Sequence, residues 1–186
     1  MFIRSTTVLL AAIACLTGAT PPVAGVADSA TTKARLADAR RAAPDFVGIT
    51  NWVNSAPLSI GGLRGKVVLV DFWTYGCVNC VNTLPHVRRL YDAYAAKGLV
   101  IVGIHTPEFP FEKSTANVQA AIKRHDIRYP VAQDNDYATW NAYRNRYWPA
   151  QYIVDQSGKI VFEHAGEGAY DEIERTIRRL LETGSG

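Results

Sequence analysis

Three cysteines, one methionine and no apolar run longer than nine residues are what this 186-residue sequence has least of. So few cysteines exclude a disulfide-stapled miniature scaffold, which needs several bridges to replace a core. The longest apolar stretch, VLLAAIACL at 8–16, is too short to span a bilayer as a helix. No charge sign dominates, because 20 Lys and Arg stand against 17 Asp and Glu for a net charge of +3. No basic run or stripe of the kind that marks a nucleic-acid surface is present, so no nucleic-acid partner is expected. A hydrophobic content of 48% suffices for one full core, and one domain is expected.

The amino terminus carries Arg4, the apolar stretch and then the small-residue segment TGATPPVAGVA. This order reads as an export signal over 1–27, cleaved after Gly25 or Ala27, which directs the chain to the periplasm or cell envelope. Cys15 admits a second reading, a lipid-modified cysteine that tethers the chain to the membrane, although Ala12 stands where such signals favour Leu. Residues 28–43 form a polar linker with Leu36 its one large aliphatic side chain, and a single domain over 44–184 follows.

Within that domain, DFVGITNWVNSAPLSIGGLRGK alternates apolar residues with turn formers, which predicts an entering hairpin. KVVLVDFW and LVIVGIHT are β-branched runs too continuous for half-exposed strands, so both belong in the middle of a sheet covered on its two faces. Between them Val81, Leu84, Val87, Leu90, Tyr91 and Tyr94 recur at helical spacing, and Gly98 supplies a stop. STANVQAAIKRHDI predicts a helix capped by Ser114 or Thr115. YPVAQD predicts a short strand and NDYATWNAYRN a short helix. AQYIVD and KIVFEHAG flank the turn QSGK as an antiparallel hairpin, and a last helix carries Ile173, Ile177, Leu180 and Leu181. The order is an α/β sandwich with a mixed central sheet.

Cys77 and Cys80, in DFWTYGCVNC, are the only thiols left once Cys15 is removed or capped. A bridge across two residues closes too short a loop to constrain the unfolded chain much, so a structural staple is a poor reading. The pair falls where the first buried strand passes into a helix. Free backbone N–H groups and the positive end of the helix dipole favour a thiolate at Cys77 there. Cys80, three residues on, shares the helical face and lies closer to the core, which suits a resolving thiol.

Taken together, DFWTYGCVNCVNTLPHV, GIHTPEFPFEK and YWPAQYIVD resemble the thioredoxin superfamily and, within it, the extracytoplasmic TlpA-like group, most of all the thioredoxin-like domain of DipZ-type proteins. That resemblance implies a thioredoxin-like three-layer sandwich with an N-terminal hairpin extension and a helical insertion over 106–146. It also implies a protein thiol-disulfide oxidoreductase whose cofactor is only its own Cys77–Cys80 disulfide. Its substrates would be protein disulfides or thiols, and a CcdA-like membrane protein would re-reduce it. Asp71 corresponds to the carboxylate that moves the proton of the buried cysteine, Pro85 to the proline inside the motif helix, and Pro149 to a cis proline facing the thiols. Trp73, Trp148 and Pro149 are the expected substrate contacts. Glu108 and Glu112, in the loop after the second strand, are candidates for tuning the cysteine pKa values, against the ordinary reading of solvated loop acids. Val78 and Asn79, between the cysteines, do not fix the direction of electron flow.

Three rival readings remain open at this stage. A metal site would use the CxxC thiolates, but His86, His105, His125 and His164 are scattered without metal-ligand spacing and no metal ligands are assigned. A thiol peroxidase of the peroxiredoxin type would use Thr74, three residues before Cys77, although Val70 replaces that family's proline. A non-catalytic binding module would keep the fold and use the groove alone.

Overall fold

Val67–Trp73, one of two seven-residue strands, is covered along its whole length, as expected of a run of Val, Leu and Phe at the centre of a sheet. The computed structural model describes residues 41–183. The signal segment 1–27, Cys15 and nearly all of the linker lie outside the described residues. The elements run β1 (Asn51–Val53), β2 (Val67–Trp73), α1 (Val78–Tyr94), β3 (Leu99–His105), α2 (Thr115–Arg124), β4 (Val131–Gln133), α3 (Ala138–Ala142), β5 (Ala150–Val154), β6 (Ile160–Ala165) and α4 (Tyr170–Thr183).

These strands form one six-stranded sheet in the order β1-β4-β3-β2-β5-β6. β3 is parallel to both β2 and β4, and the β1–β4, β2–β5 and β5–β6 pairs are antiparallel. The parallel β2–β3 pair needs a crossover, which α1 supplies. The predicted entering hairpin does not form. The segment contributes the single strand β1, which pairs Asn51–Val53 with β4 instead of with a neighbour in sequence. Its other apolar residues, Phe46, Ile49, Leu58 and Leu63, pack on the sheet face and leave no second strand to close a hairpin.

Strand alternation sorts β2 between two cores. Val67, Leu69 and Trp73 face a cluster with Cys80, Leu84, Val87 and Leu90 of α1, Val118 and Ile122 of α2, and Ile173 and Ile177 of α4. Val68, Val70 and Phe72 face the other cluster, built on Trp140 and Tyr143 at α3 and the entering segment. Phe72 meets Trp140, Tyr143 and Tyr152 edge to face with centroids 5.4–5.8 Å apart, a favoured geometry for aromatic quadrupoles. Asp71 falls on the first face, so its carboxylate enters an otherwise apolar core beside the motif helix. Among the described residues, no helix is long and apolar enough to cross a membrane.

Candidate active site

The first turn of α1 is built around sulfur. Cys77 is the N-cap, with extended backbone at φ −86° and ψ 116°, and its Sγ accepts the N–H of Cys80 at 3.4 Å. This is the place of an N-cap side-chain oxygen, and the thiol meets there a donor that the helix cannot satisfy internally. Cys77 is half-buried and Cys80 buried, and both thiols are free. Burial, and then the hydrogen bond with Cys77, push the Cys80 thiol far above its ordinary value. Cys80 therefore needs a base before it can attack. The helix continues through Pro85, which offers no N–H to the carbonyl of Val81.

Asp71 lies on the same side of β2. It is buried and accepts one side-chain hydrogen bond, from Gln151 Nε2 at 3.0 Å. Burial raises its pKa from 3.8 to about 6, and the Gln151 bond opposes the rise. Its charge acts on Cys80, so carboxylate and thiol are electrostatically coupled at the strand-to-helix junction.

The peptide bond between Trp148 and Pro149 is cis. Because β5 runs antiparallel to β2 with Ala150 opposite Phe72, Pro149 arrives at the sheet end from which the motif loop leaves. Trp148 is half-buried and donates Nε1–H to the Thr106 carbonyl at 3.1 Å, while Thr106 N–H bonds the Trp73 carbonyl at 3.1 Å. Its ring stands 4.1 Å from that of Trp140, so it anchors β5 to the insertion and walls this end of the site. Trp73, expected to touch substrate, is fully buried. Its inward position at the end of β2 places the indole under the motif, beside Gly103, where a Cβ would lie 3.1 Å from Nε1. It supports the site from below and does not meet a substrate.

The two glutamates part company. Glu108 is exposed, whereas Glu112 is completely buried. Glu112 Oε1 accepts the Gly76 N–H at 2.9 Å, and Oε2 accepts the N–H groups of Glu108 and Phe109 at 2.6 and 3.0 Å. A carboxylate with three backbone donors thus ties the insertion to the residue just before Cys77. A Cβ at position 76 would fall 2.3 Å from Oε1, so this contact requires glycine.

Sequence reasoning missed several neighbours of the motif. His105 is buried, its Nε2 lies 3.3 Å from Thr74 Oγ1, and its ring stacks on Tyr75. Burial lowers its pKa to about 4, so the imidazole is neutral at physiological pH. Tyr75 donates its hydroxyl to the Phe111 carbonyl at 3.1 Å, a second tie between motif and insertion. Gln151 was visible as the one polar side chain in the otherwise apolar strand AQYIV. Among the described residues, no three His, Cys, Asp or Glu side chains come together as a cation site.

A CxxC pair heading a helix behind the central strand, with a buried carboxylate and a cis proline beside it, is the arrangement of a thioredoxin-fold oxidoreductase. The AhpC/TSA family model matches residues 39–163, and the chain belongs to that family. It is 49% identical over 142 residues to Protein DipZ of Mycobacterium bovis, an alignment that covers 75% of this chain and 20% of that protein. The chain thus spans about a fifth of the length of the DipZ relatives it matches. Thiol-disulfide oxidoreductase YkuV of Bacillus subtilis is 28% identical over 142 residues, covering 76% of this chain and 95% of the relative. Among solved structures, a thioredoxin-like protein in the oxidized form superposes with a TM-score of 0.70 at 28% identity, covering 77% of this chain and 97% of that one.

Proposed function

We propose that this chain is an extracytoplasmic oxidoreductase that reduces disulfides of envelope or secreted proteins, with Cys77 as nucleophile, Cys80 as resolving thiol and Asp71 as base. The observation that carries this reading is the stacking in depth of the three groups. A half-exposed sulfur sits on the helix cap, a buried thiol sits one turn inside, and a buried carboxylate is coupled to that thiol.

The sulfur of Cys77 attacks one sulfur of a substrate disulfide. A mixed disulfide forms, and the departing substrate thiolate takes a proton from water. Cys80 then gives its proton to the Asp71 carboxylate, and the new thiolate attacks Sγ of Cys77. The Cys77–Cys80 disulfide forms, the second substrate thiolate leaves, and two electrons have passed to the substrate. The cis Pro149 and the wall at Trp148 shape the groove in which an extended substrate segment lies. Re-reduction of the pair by a membrane dithiol protein of the CcdA kind completes the cycle, and the signal reading of 1–27 supports the compartment. The Cys77–Cys80 disulfide is the only redox group this cycle needs.

Glu112 bears on the nucleophile through Gly76, while Glu108 contributes a backbone N–H and leaves its own carboxylate in solvent. A peroxidase would need Thr74 at the reacting peroxide. The Thr74 hydroxyl is instead fully buried against His105, which favours exchange chemistry.

The test is the reduction potential of the pair, measured on the mature protein by equilibration against dithiothreitol or glutathione buffers. A value near −270 mV, about that of thioredoxin, is expected of a reductant, whereas one near −120 mV, about that of a strong disulfide donor, would reverse the direction. A Cys80→Ser variant should accumulate a mixed disulfide through Cys77. A folded protein that exchanges with neither buffer would overturn the reading.

A further inference from the structure

In the oxidised protein Asp71 regains its charge near neutral pH only if the proton it takes from Cys80 reaches solvent before the pair is re-reduced, yet the carboxylate is buried in an apolar core. The groups packed around it come from every neighbouring element. Cys80 faces it from α1 and Tyr129 from the segment before β4. Gly103 is its β3 neighbour, and Gln151 is both its β5 neighbour and its hydrogen-bond donor. The Tyr129 hydroxyl has no hydrogen-bond partner, and its charge coupling is to Asp71 and Arg88. Of these groups Gln151, though buried at 3% exposure, also lines an open space.

That space is a cleft of about 500 Å³ between α1 and α4. Val87, Leu90 and Ile173 give it apolar walls, and Gln151 is the β-strand residue that lines it. Its charged and titratable lining is His86, Arg89, Asp92 and Tyr94 from α1 with Tyr170, Asp171 and Glu174 from α4. It begins at His86, nine residues beyond Cys77, roughly 14 Å along the helix by its rise. One side-chain amide therefore links the buried base to a solvent-facing cleft on a different part of the surface from the nucleophile.

We propose that Gln151 is a positioning residue that sets the ionisation of Asp71, and that the α1–α4 cleft brings the water to which Asp71 returns its proton. This rests on the reading of Asp71 as the base for Cys80. A donor on Oδ1 stabilises the carboxylate over the acid, so the bond holds Asp71 low enough to discharge near neutral pH. With cleft water beyond the amide, the proton lost by Cys80 leaves without crossing the groove that the substrate occupies.

The test is a carbon-13 NMR titration of the Asp71 carboxyl, run beside the pH profile of single-turnover mixed-disulfide resolution. Gln151→Met removes the donor at similar volume. Its Asp71 midpoint should move up by about one pH unit, with the alkaline plateau of the resolution rate following it. Gln151→Glu, the second variant, should move it further up, because two carboxylates then share the site. In the wild-type protein the Gln151 side-chain amide should show magnetisation transfer from water. An unmoved midpoint in folded Gln151→Met and Gln151→Glu proteins overturns the positioning role, and an amide without water transfer overturns the cleft route. A midpoint that moves while the rate profile stays fixed would uphold Gln151 and remove Asp71 as the base, which separates this proposal from the one it rests on.

Discussion

Asp71 and Glu112 are two carboxylates buried almost equally, at 1% and 0% exposure, and they do opposite things because of their donors. Glu112 receives three backbone N–H groups from two loops. Asp71 receives one side-chain donor in a strand whose backbone groups are already paired. A buried carboxylate with a full donor set is a fixed strut, and one with a partial set is a proton acceptor held near its switching point. The insertion therefore braces the site, and the acid-base role proposed for Asp71 falls to the sheet.

The comparison breaks most readily at the strut. Glu112→Leu strands three donors near the motif, and each lost bond to a charged group is worth about 1.5–3 kcal/mol, partly recovered by water. A net loss of about 4 kcal/mol is expected in urea unfolding, with exchange activity falling in step as Gly76 is released. A loss below about 1 kcal/mol would mean that Glu112 braces nothing.

The opposite sign is expected at the base. The folded pKa of Asp71 is raised from 3.8 to about 6. The protonated form thus favours the folded state, and the contribution is complete below about pH 4 and lost as pH rises through about 6. Asp71→Asn removes the cost of the buried charge. It should therefore stabilise the protein by up to about 3 kcal/mol at pH 8, with the advantage vanishing below about pH 4. The same variant should slow resolution by about 100-fold, as loss of a general base does. A stability difference that does not vary with pH would remove Asp71 from the titrating class.

Glu108→Gln sets the floor of the comparison. Its side chain is exposed and only its backbone joins the Glu112 bonds. A stability change within about 0.5 kcal/mol is expected, together with an unchanged exchange rate. A larger effect would show that proximity in the loop, and not burial with donors, governs these acids.

The contrast between the two acids also marks where the sequence stops being readable. The sheet and the motif helix were legible because β2, β3 and α1 carry strong periodicity, and the family resemblance carried by DFWTYGCVNC and YWPAQYIVD pointed to Cys77, Cys80, Asp71 and Pro149. Glu108 and Glu112 look alike in PEFPFEK, since the turn that buries one and exposes the other is set by three backbone bonds that leave no pattern in side-chain types. The resemblance implies a substrate contact for Trp73; only the pleat of β2 decides that it points inward. β1 looks like half of a hairpin in the sequence because its true partner lies about 80 residues away, and local alternation cannot show that. Gln151 could have been caught, since a polar residue within a wholly buried strand needs a partner.

The two rims of the sheet bear on the company this protein keeps. β1 is three residues long and ends the sheet on one side. β6 ends it on the other, with Glu163 and His164 among its outer residues. Short and charged edges offer little template to a passing strand. An oxidoreductase acting as proposed holds cysteine-bearing chains in its groove at every turnover. Rims of this kind let it release such chains as substrates and keep them from adding to its sheet.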